Sequence, residues 1–160
     1  MALTRLLIGP VPLFVLQPVL HRIIRNIALR KPELFNRIGV HREKSFLIDP
    51  VNMPFALVLR PDPKSPSLRA YRRRHLPPVD ATISGSFLTL MEMVDGRLDG
   101  DALFFSRALS VQGDTEAVVC LRNALDDMDG SVVEDAANLF GAPGRKILNG
   151  LRRIRQNGER

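Results

Sequence analysis

The sequence predicts an α/β fold, and three stretches carry that prediction. From Val79 to Phe87 the odd positions read Val79, Ala81, Ile83, Gly85 and Phe87, and the even ones Asp80, Thr82, Ser84 and Ser86. This alternation describes a half-buried strand. Leu88, Leu90, Met91 and Val94 then switch to helical spacing and stop at Asp95-Gly96, where glycine can take the left-handed conformation that ends a helix. Leu103 to Val111 reads as a further strand ending at Gly113, after two Asp-Gly turns. A second helix follows from Asp114, an N-cap type, with Glu116 in its first turn and Val118, Leu121, Leu125 and Met128 on one stripe before Gly130.

From the start of the chain, Leu6 to Leu20 is free of charge but contains Pro10, Pro12 and Pro18. A membrane span needs about 20 apolar residues, so this stretch is too short and too broken to be one. A signal peptide would need a small-residue cleavage site, and a basic segment follows instead. From Pro18, a residue suited to a first turn, Leu20, Ile23, Ile24 and Ile27 form a helical apolar stripe flanked by His21, Arg22, Arg25 and Arg30. Such a helix either lies in a membrane interface or packs its stripe on the domain's own core. On the first reading, deleting residues 1 to 30 abolishes binding to anionic liposomes and leaves a folded domain.

Lys31-Pro32 ends that helix, and a short one is expected from Glu33 to Ile38, closed by Gly39. Phe55 to Arg60 is a compact apolar strand. Pro61 to Pro78, with five prolines and the run Arg72-Arg73-Arg74-His75, reads as a loop. Beyond Gly130, Ser131 to Glu134 fits a capping box opening a helix that reaches Phe140. Gly141 to Gly144 should stop it, and a last helix from Arg145 sets Ile147, Leu148, Leu151 and Ile154 against Arg145, Lys146, Arg152, Arg153 and Arg155.

A chain of 160 residues suffices for one domain with a sizeable core. Its single cysteine, Cys120, excludes an intramolecular disulfide and suits a reducing compartment, so a cytoplasmic location is expected. The net charge of +6 is unevenly spread. Residues 1 to 80 hold 14 Lys and Arg against 5 Asp and Glu, residues 81 to 140 hold 3 against 11, and residues 141 to 160 hold 6 against 1. Basic flanks around an acidic centre point to ends that meet an anionic partner, lipid headgroups or nucleic acid.

Catalytic and metal chemistry find little support. His21, His41 and His75 are far apart, neither CxxC nor HxxxH occurs, and no GxSxG is present. Gly141 to Lys146 has too few residues between its glycines for a phosphate loop, and Ile147 stands where magnesium needs a hydroxyl. Asp95 to Ser106 fails as a calcium loop because Arg97 and Ser106 occupy ligand positions. The expectation is a protein that is not an enzyme and needs no cofactor or metal.

The phrases Leu103-Phe104-Phe105-Ser106-Arg107 and Gly113-Asp114-Thr115-Glu116, running on through Leu121-Arg122-Asn123-Ala124-Leu125-Asp126-Asp127, resemble the sterol carrier protein type 2 family of lipid-binding domains. The resemblance covers residues 45 to 129 and is strongest towards the accessory factors of ubiquinone biosynthesis. It implies a mostly antiparallel sheet of about five strands, with helices on one face enclosing an apolar cavity. Residues 1–44 would then be an apolar leading segment with basic amphipathic helices, 45–129 the lipid-binding domain, and 130–160 helices with a basic amphipathic end. The implied function is non-catalytic binding of isoprenoid lipid, namely ubiquinone precursors, in the oxygen-independent branch of a bacterial pathway. Its implied partners are other ubiquinone biosynthesis proteins and the anionic surface of the inner membrane.

The cavity residues expected on this basis are Ile83, Phe87, Leu90, Met91, Leu103, Phe105, Leu109, Val118, Leu121 and Leu125, with Met93 beside them; without a ligand the same side chains would simply fill a core. Parity along Leu103 to Val111 places Arg107 on the dry face, where an unpaired charge is too costly to keep. It either pairs with Asp101, Asp114 or Glu116, turns outward at a bulge, or anchors a lipid or quinone-precursor head. Membrane or other anionic contacts are expected at Arg22, Arg25, Arg72, Arg73, Arg74, Arg152 and Arg153. Two alternatives remain: a generic lipid or fatty-acyl carrier of the same fold, and a basic module for RNA or an acidic protein. Tyr71 is the only aromatic near the arginine run, so no stacking platform for nucleic acid is legible.

Overall fold

The computed structural model describes residues 13–95, 107–126, 134, 137–138 and 141–158. A five-stranded sheet carries the fold, in the order β3-β2-β1-β4-β5. Its strands are β1 (Phe46–Pro50), β2 (Phe55–Arg60), β3 (Ser67–Arg72), β4 (Ala81–Gly85) and β5 (Leu109–Gly113). The pairings β1–β2, β2–β3 and β4–β5 are antiparallel and β1–β4 is parallel, so the mostly antiparallel sheet expected from the sequence is present. The helices are α1 (Leu13–Arg30), α2 (Glu33–Ile38), α3 (Phe87–Asp95), α4 (Thr115–Asp126) and α5 (Gly141–Gly158). Glu134, Ala137 and Asn138 are also helical; the rest of the helix expected over residues 131 to 140 lies outside the described residues.

Several elements match their sequence signals closely. β2 and α2 coincide with the predicted segments, and Gly39 closes α2 at φ 64° with its N–H donating to the Asn36 carbonyl. The switch from strand to helix lies between Gly85 and Phe87, where the Ser86 hydroxyl accepts the Thr89 N–H at 3.2 Å and so caps α3. Asp114 caps α4 in the same way, accepting the Ala117 N–H at 3.1 Å.

Three expectations are corrected, and one strand appears that was not expected from the sequence. The segment Pro61 to Pro78 is not all loop: Ser67–Arg72 is the edge strand β3, paired along its length with β2. Its prolines flank the strand rather than interrupt it, which an edge position tolerates. β1 gave no strand signal, since Phe46–Pro50 is short and ends in Asp49-Pro50, yet it sits between β2 and β4. Helix α1 does not begin at Pro18 but already includes Leu13, with Pro18 inside it. Helix α5 begins at Gly141 rather than Arg145, because Pro143 falls in a first turn that does not need its missing N–H.

The two sheet faces differ. On one, Phe46, Ala81, Ile83 and Leu109 pack with Leu34 and Ile38 of α2, Leu90 and Met93 of α3, and Ala117, Val118, Leu121 and Ala124 of α4. On the other, Leu47, Ala56 and Val58 form a smaller cluster with Tyr71 and Val79, while Thr82 and Ser84 of β4 are half-buried. Leu20 and Ile24 of α1 are buried and Ile27 packs against the larger cluster, so the apolar stripe of α1 faces the domain's own core.

Candidate apolar binding site

The larger cluster brings together residues that the sequence holds on four separate elements. Ile83 of β4 and Leu109 of β5 are held on one sheet face, Ile83 opposite Val111 and Gly85 opposite Leu109. Leu90 comes from α3, and Val118 and Leu121 from α4, one helical turn apart. All five are buried in one cluster, with Leu125 packed against it. Phe87 and Met91 on α3 are half-buried. Leu103 and Phe105 lie outside the described residues.

Among the described residues this cluster is built of apolar side chains, so what it holds it holds by removal of apolar surface from water, at roughly 25 cal/mol per Å². Met93 adds a side chain that reshapes readily around a long flexible ligand.

Arg107 is not on the dry face. It precedes β5 in a turn, is exposed, and has φ 60°, the left-handed region that non-glycine residues seldom occupy. The strand begins at Leu109, so the parity argument has no strand to act on at residue 107.

A polar cluster closes one end of the sheet. The Lys44 ammonium pairs with the Asp114 carboxylate, which also takes the Ala117 N–H. Both partners are partly exposed. The hydrogen bond from Lys44, then that from Ala117, holds the Asp114 carboxyl below the usual carboxylate range, and the same pairing raises Lys44 above its ordinary value. Buried His41 places Nδ1 4.0 Å from Asp114 and Nε2 3.9 Å from Glu116. Next to it the Asp80 carboxylate accepts the Ser45 N–H at 2.8 Å and the Ser45 hydroxyl at 3.2 Å. Among the described residues no group of three His, Cys, Asp or Glu side chains is arranged to hold a metal.

The opposite end of the sheet carries the arginine run, and here Arg73 differs from its neighbours. Its guanidinium pairs with Asp49 at 2.6 Å and donates to the carbonyls of Pro50 at 2.6 Å and Met53 at 3.0 Å. It braces the β1–β2 turn although, like Arg72 and Arg74, it is exposed. Arg152 is likewise engaged, with Glu134 at 3.0 Å, while Arg22, Arg25 and Arg153 are exposed on their helices. Sequence pattern had no means of finding these partners, because two of the three acceptors of Arg73 are backbone carbonyls.

Comparison with known proteins follows the same layer. The sequence model described as "SCP-2 sterol transfer family" matches residues 27–126, from the last turn of α1 to the end of α4. The structure is similar to one described as "UbiJ-SCP2 Ubiquinone synthesis protein", with a TM-score of 0.56 at 19% identity, covering 70% of this chain and 89% of that one. It is also similar to the apo form of sterol carrier protein 2 from Yarrowia lipolytica, with a TM-score of 0.48 at 14% identity, covering 74% and 94%. No curated protein matches the chain.

Proposed function

The chain belongs to the SCP-2 sterol transfer family, and from that premise we propose that it binds a long-chain lipid in the layer between its sheet and helices, without catalysing a reaction on it. The observation that carries this reading is the convergence of Ile83, Leu90, Leu109, Val118 and Leu121 in one apolar cluster under α3 and α4. An apolar layer built from small helices over one sheet face can part to admit an aliphatic chain without breaking the sheet's hydrogen bonds.

The ligand class we propose is isoprenoid, a ubiquinone precursor held for other enzymes of ubiquinone biosynthesis. Two things support that choice: the similarity in fold to a protein described as a ubiquinone synthesis protein, and the sequence resemblance to the accessory factor UbiT, which would place the chain in the oxygen-independent branch. Arg107 is the proposed contact for the polar ring, since its exposed turn leads into β5 next to Leu109. The protein would act in the cytoplasm at the inner membrane surface. No helix among the described residues is long and apolar enough to cross a membrane.

The test is organic extraction and mass spectrometry of the protein after washing at high salt. A polyprenylated ring compound at near-stoichiometric amounts is the expected result. Fatty acids or phospholipids in its place would favour a generic acyl carrier. A protein that carries nothing and takes up no added quinone would sink the reading.

A further inference from the structure

The end of the sheet that holds the β1–β2 turn exposes apolar side chains close in sequence to arginines. Val51 in that turn is 60% exposed and Leu76, just after β3, is 37% exposed. Pro54 and Pro78 are exposed beside them in sequence, as are Arg72, Arg74 and His75. Within the segments 49–54 and 72–76 the only carboxylate is Asp49, and Arg73 already occupies it. Apolar and cationic side chains are therefore exposed on two segments that Arg73 ties together at this end of the sheet.

The turn is also held rigid. Val51 donates its N–H to the Gly85 carbonyl at 2.9 Å, Met53 to Pro50 at 2.9 Å, and the Asn52 side chain accepts the Phe87 N–H at 2.9 Å. With the three contacts of Arg73, the turn joins β1, β4, the start of α3 and the end of β3. Exposing Val51 on so firmly fixed a turn costs hydration free energy that an apolar partner would recover.

We propose that this end of the sheet docks on an anionic phospholipid bilayer, with Val51 and Leu76 entering the boundary between headgroups and acyl chains and with Arg72 and Arg74 meeting phosphates. The inference rests on the peripheral-membrane part of the proposed function and gives it a place. A bilayer satisfies both halves of the patch at once, since it offers apolar depth below and negative charge at its surface. The stripe of helix α1 is not available for the role, because Leu20 and Ile24 are buried in the domain, although Phe14 and Leu29 of the same helix are exposed. Asn52 ties the docked turn to the first residue of α3, the helix that covers the apolar layer, so the surface meets the bilayer where lipid would pass.

The experiment is partition of the full chain onto phosphatidylcholine vesicles with and without a minority of phosphatidylglycerol. The doubly substituted V51D/L76D chain should lose at least ~10-fold in partition to the anionic vesicles, since each side chain would forfeit the burial of a Val or Leu. Arg72→Gln and Arg74→Gln should each lose about fivefold, and raised salt should weaken binding further. Both substituted turns should keep the circular dichroism spectrum and the co-purifying lipid of the parent, which separates a failed docking surface from a failed cavity. Wild-type partition by V51D/L76D, or its loss only in R22E/R25E, would overturn the assignment. So would equal binding to vesicles lacking phosphatidylglycerol, or a patch whose substitution removes RNA binding and leaves vesicle binding intact.

Discussion

Gln17 and Ala70 are joined as two strands would be: the Gln17 side-chain amide donates to the Ala70 carbonyl at 2.7 Å, and its oxygen accepts the Ala70 N–H at 3.2 Å. A side chain of α1 thus completes the outward backbone groups of an edge strand, which would otherwise invite pairing with another chain.

Gln17→Ala should therefore lower stability by about 1–2 kcal/mol, the range for two partly buried hydrogen bonds, in denaturant melts of the full chain. Deleting residues 1 to 30 should do far more, removing the buried Leu20 and Ile24 as well, and leave a chain that unfolds at low denaturant or aggregates. The sequence allowed the opposite outcome, a folded remainder that had merely lost its membrane helix. A fully stable truncation would show that α1 is dispensable to the core.

The Lys44–Asp114 pair gives stability a pH window. Asp114 has its folded-state value depressed, so its contribution is complete above the ordinary carboxylate range and is lost as pH falls through the lowered value. Lys44 has its value raised, so its contribution is present below the ordinary lysine range and is lost as pH climbs through the raised value. Asp114→Asn keeps a capping oxygen for Ala117 but removes the ion pair. Its melting temperature should approach that of the parent at acid pH and fall behind it near neutrality.

Leu121 is buried among Ile83, Leu90 and Val118 on the helical side of the sheet. Leu121→Ala should cost roughly 2–5 kcal/mol in a thermal or denaturant melt if the site collapses poorly. Leu121→Phe tests function instead: added volume in the layer should reduce the amount of lipid that extraction recovers, with a smaller loss of stability, about 1–3 kcal/mol.

Gly113 ends β5 at φ 81°, and a Cβ there would lie 2.4 Å from the Asp80 carbonyl oxygen. Gly113→Ala meets both a disfavoured backbone conformation and a backbone clash, and should destabilise by roughly 2 kcal/mol or more. The effect should appear in urea melts without any change in the lipid recovered per folded molecule.

Arg107 stands in the left-handed region at φ 60°, where an L side chain costs about 1–2 kcal/mol. Arg107→Gly should relieve that cost and raise stability, while Arg107→Ala should not. If the guanidinium anchors the ring of the ligand, both variants lose quinone-type cargo relative to aliphatic lipid despite their different stabilities. Unchanged cargo in both would assign the turn no part in binding.

Local signals were strongest where one element carried a whole pattern. The helix from Glu33 to Ile38 and the strand from Phe55 to Arg60 were readable because a closing glycine marks the one and an unbroken apolar run the other. β3 was hidden because only Ala70 of its six residues is fully buried, so the arginines and flanking prolines outweigh its alternation. The apolar layer was legible by type, Ile83, Leu90, Leu109, Val118 and Leu121 all reaching it. Arg107 failed as a dry-face residue because parity holds only inside a strand, and β5 starts two residues later. Arg73, expected as an anionic contact, is held by the Asp49 carboxylate and two carbonyls on another strand and its turn, contacts that no local pattern encodes.

The parallel pairing of β1 with β4 also sets the pace at which the chain reaches this structure. β1 finds β2 through a short turn, and β2 finds β3 through another, so that meander assembles from neighbours in sequence. Joining β4 requires Phe46 to meet Ala81, closing a span as long as the 35 residues between Ser45 and Asp80. The entropy of that closure is lost before its contacts are gained, so the arrival of β4 is expected to limit the folding rate. Ile83→Val should then slow refolding in stopped-flow experiments, whereas a substitution of similar cost in β3, such as Ala70→Gly, should mainly speed unfolding.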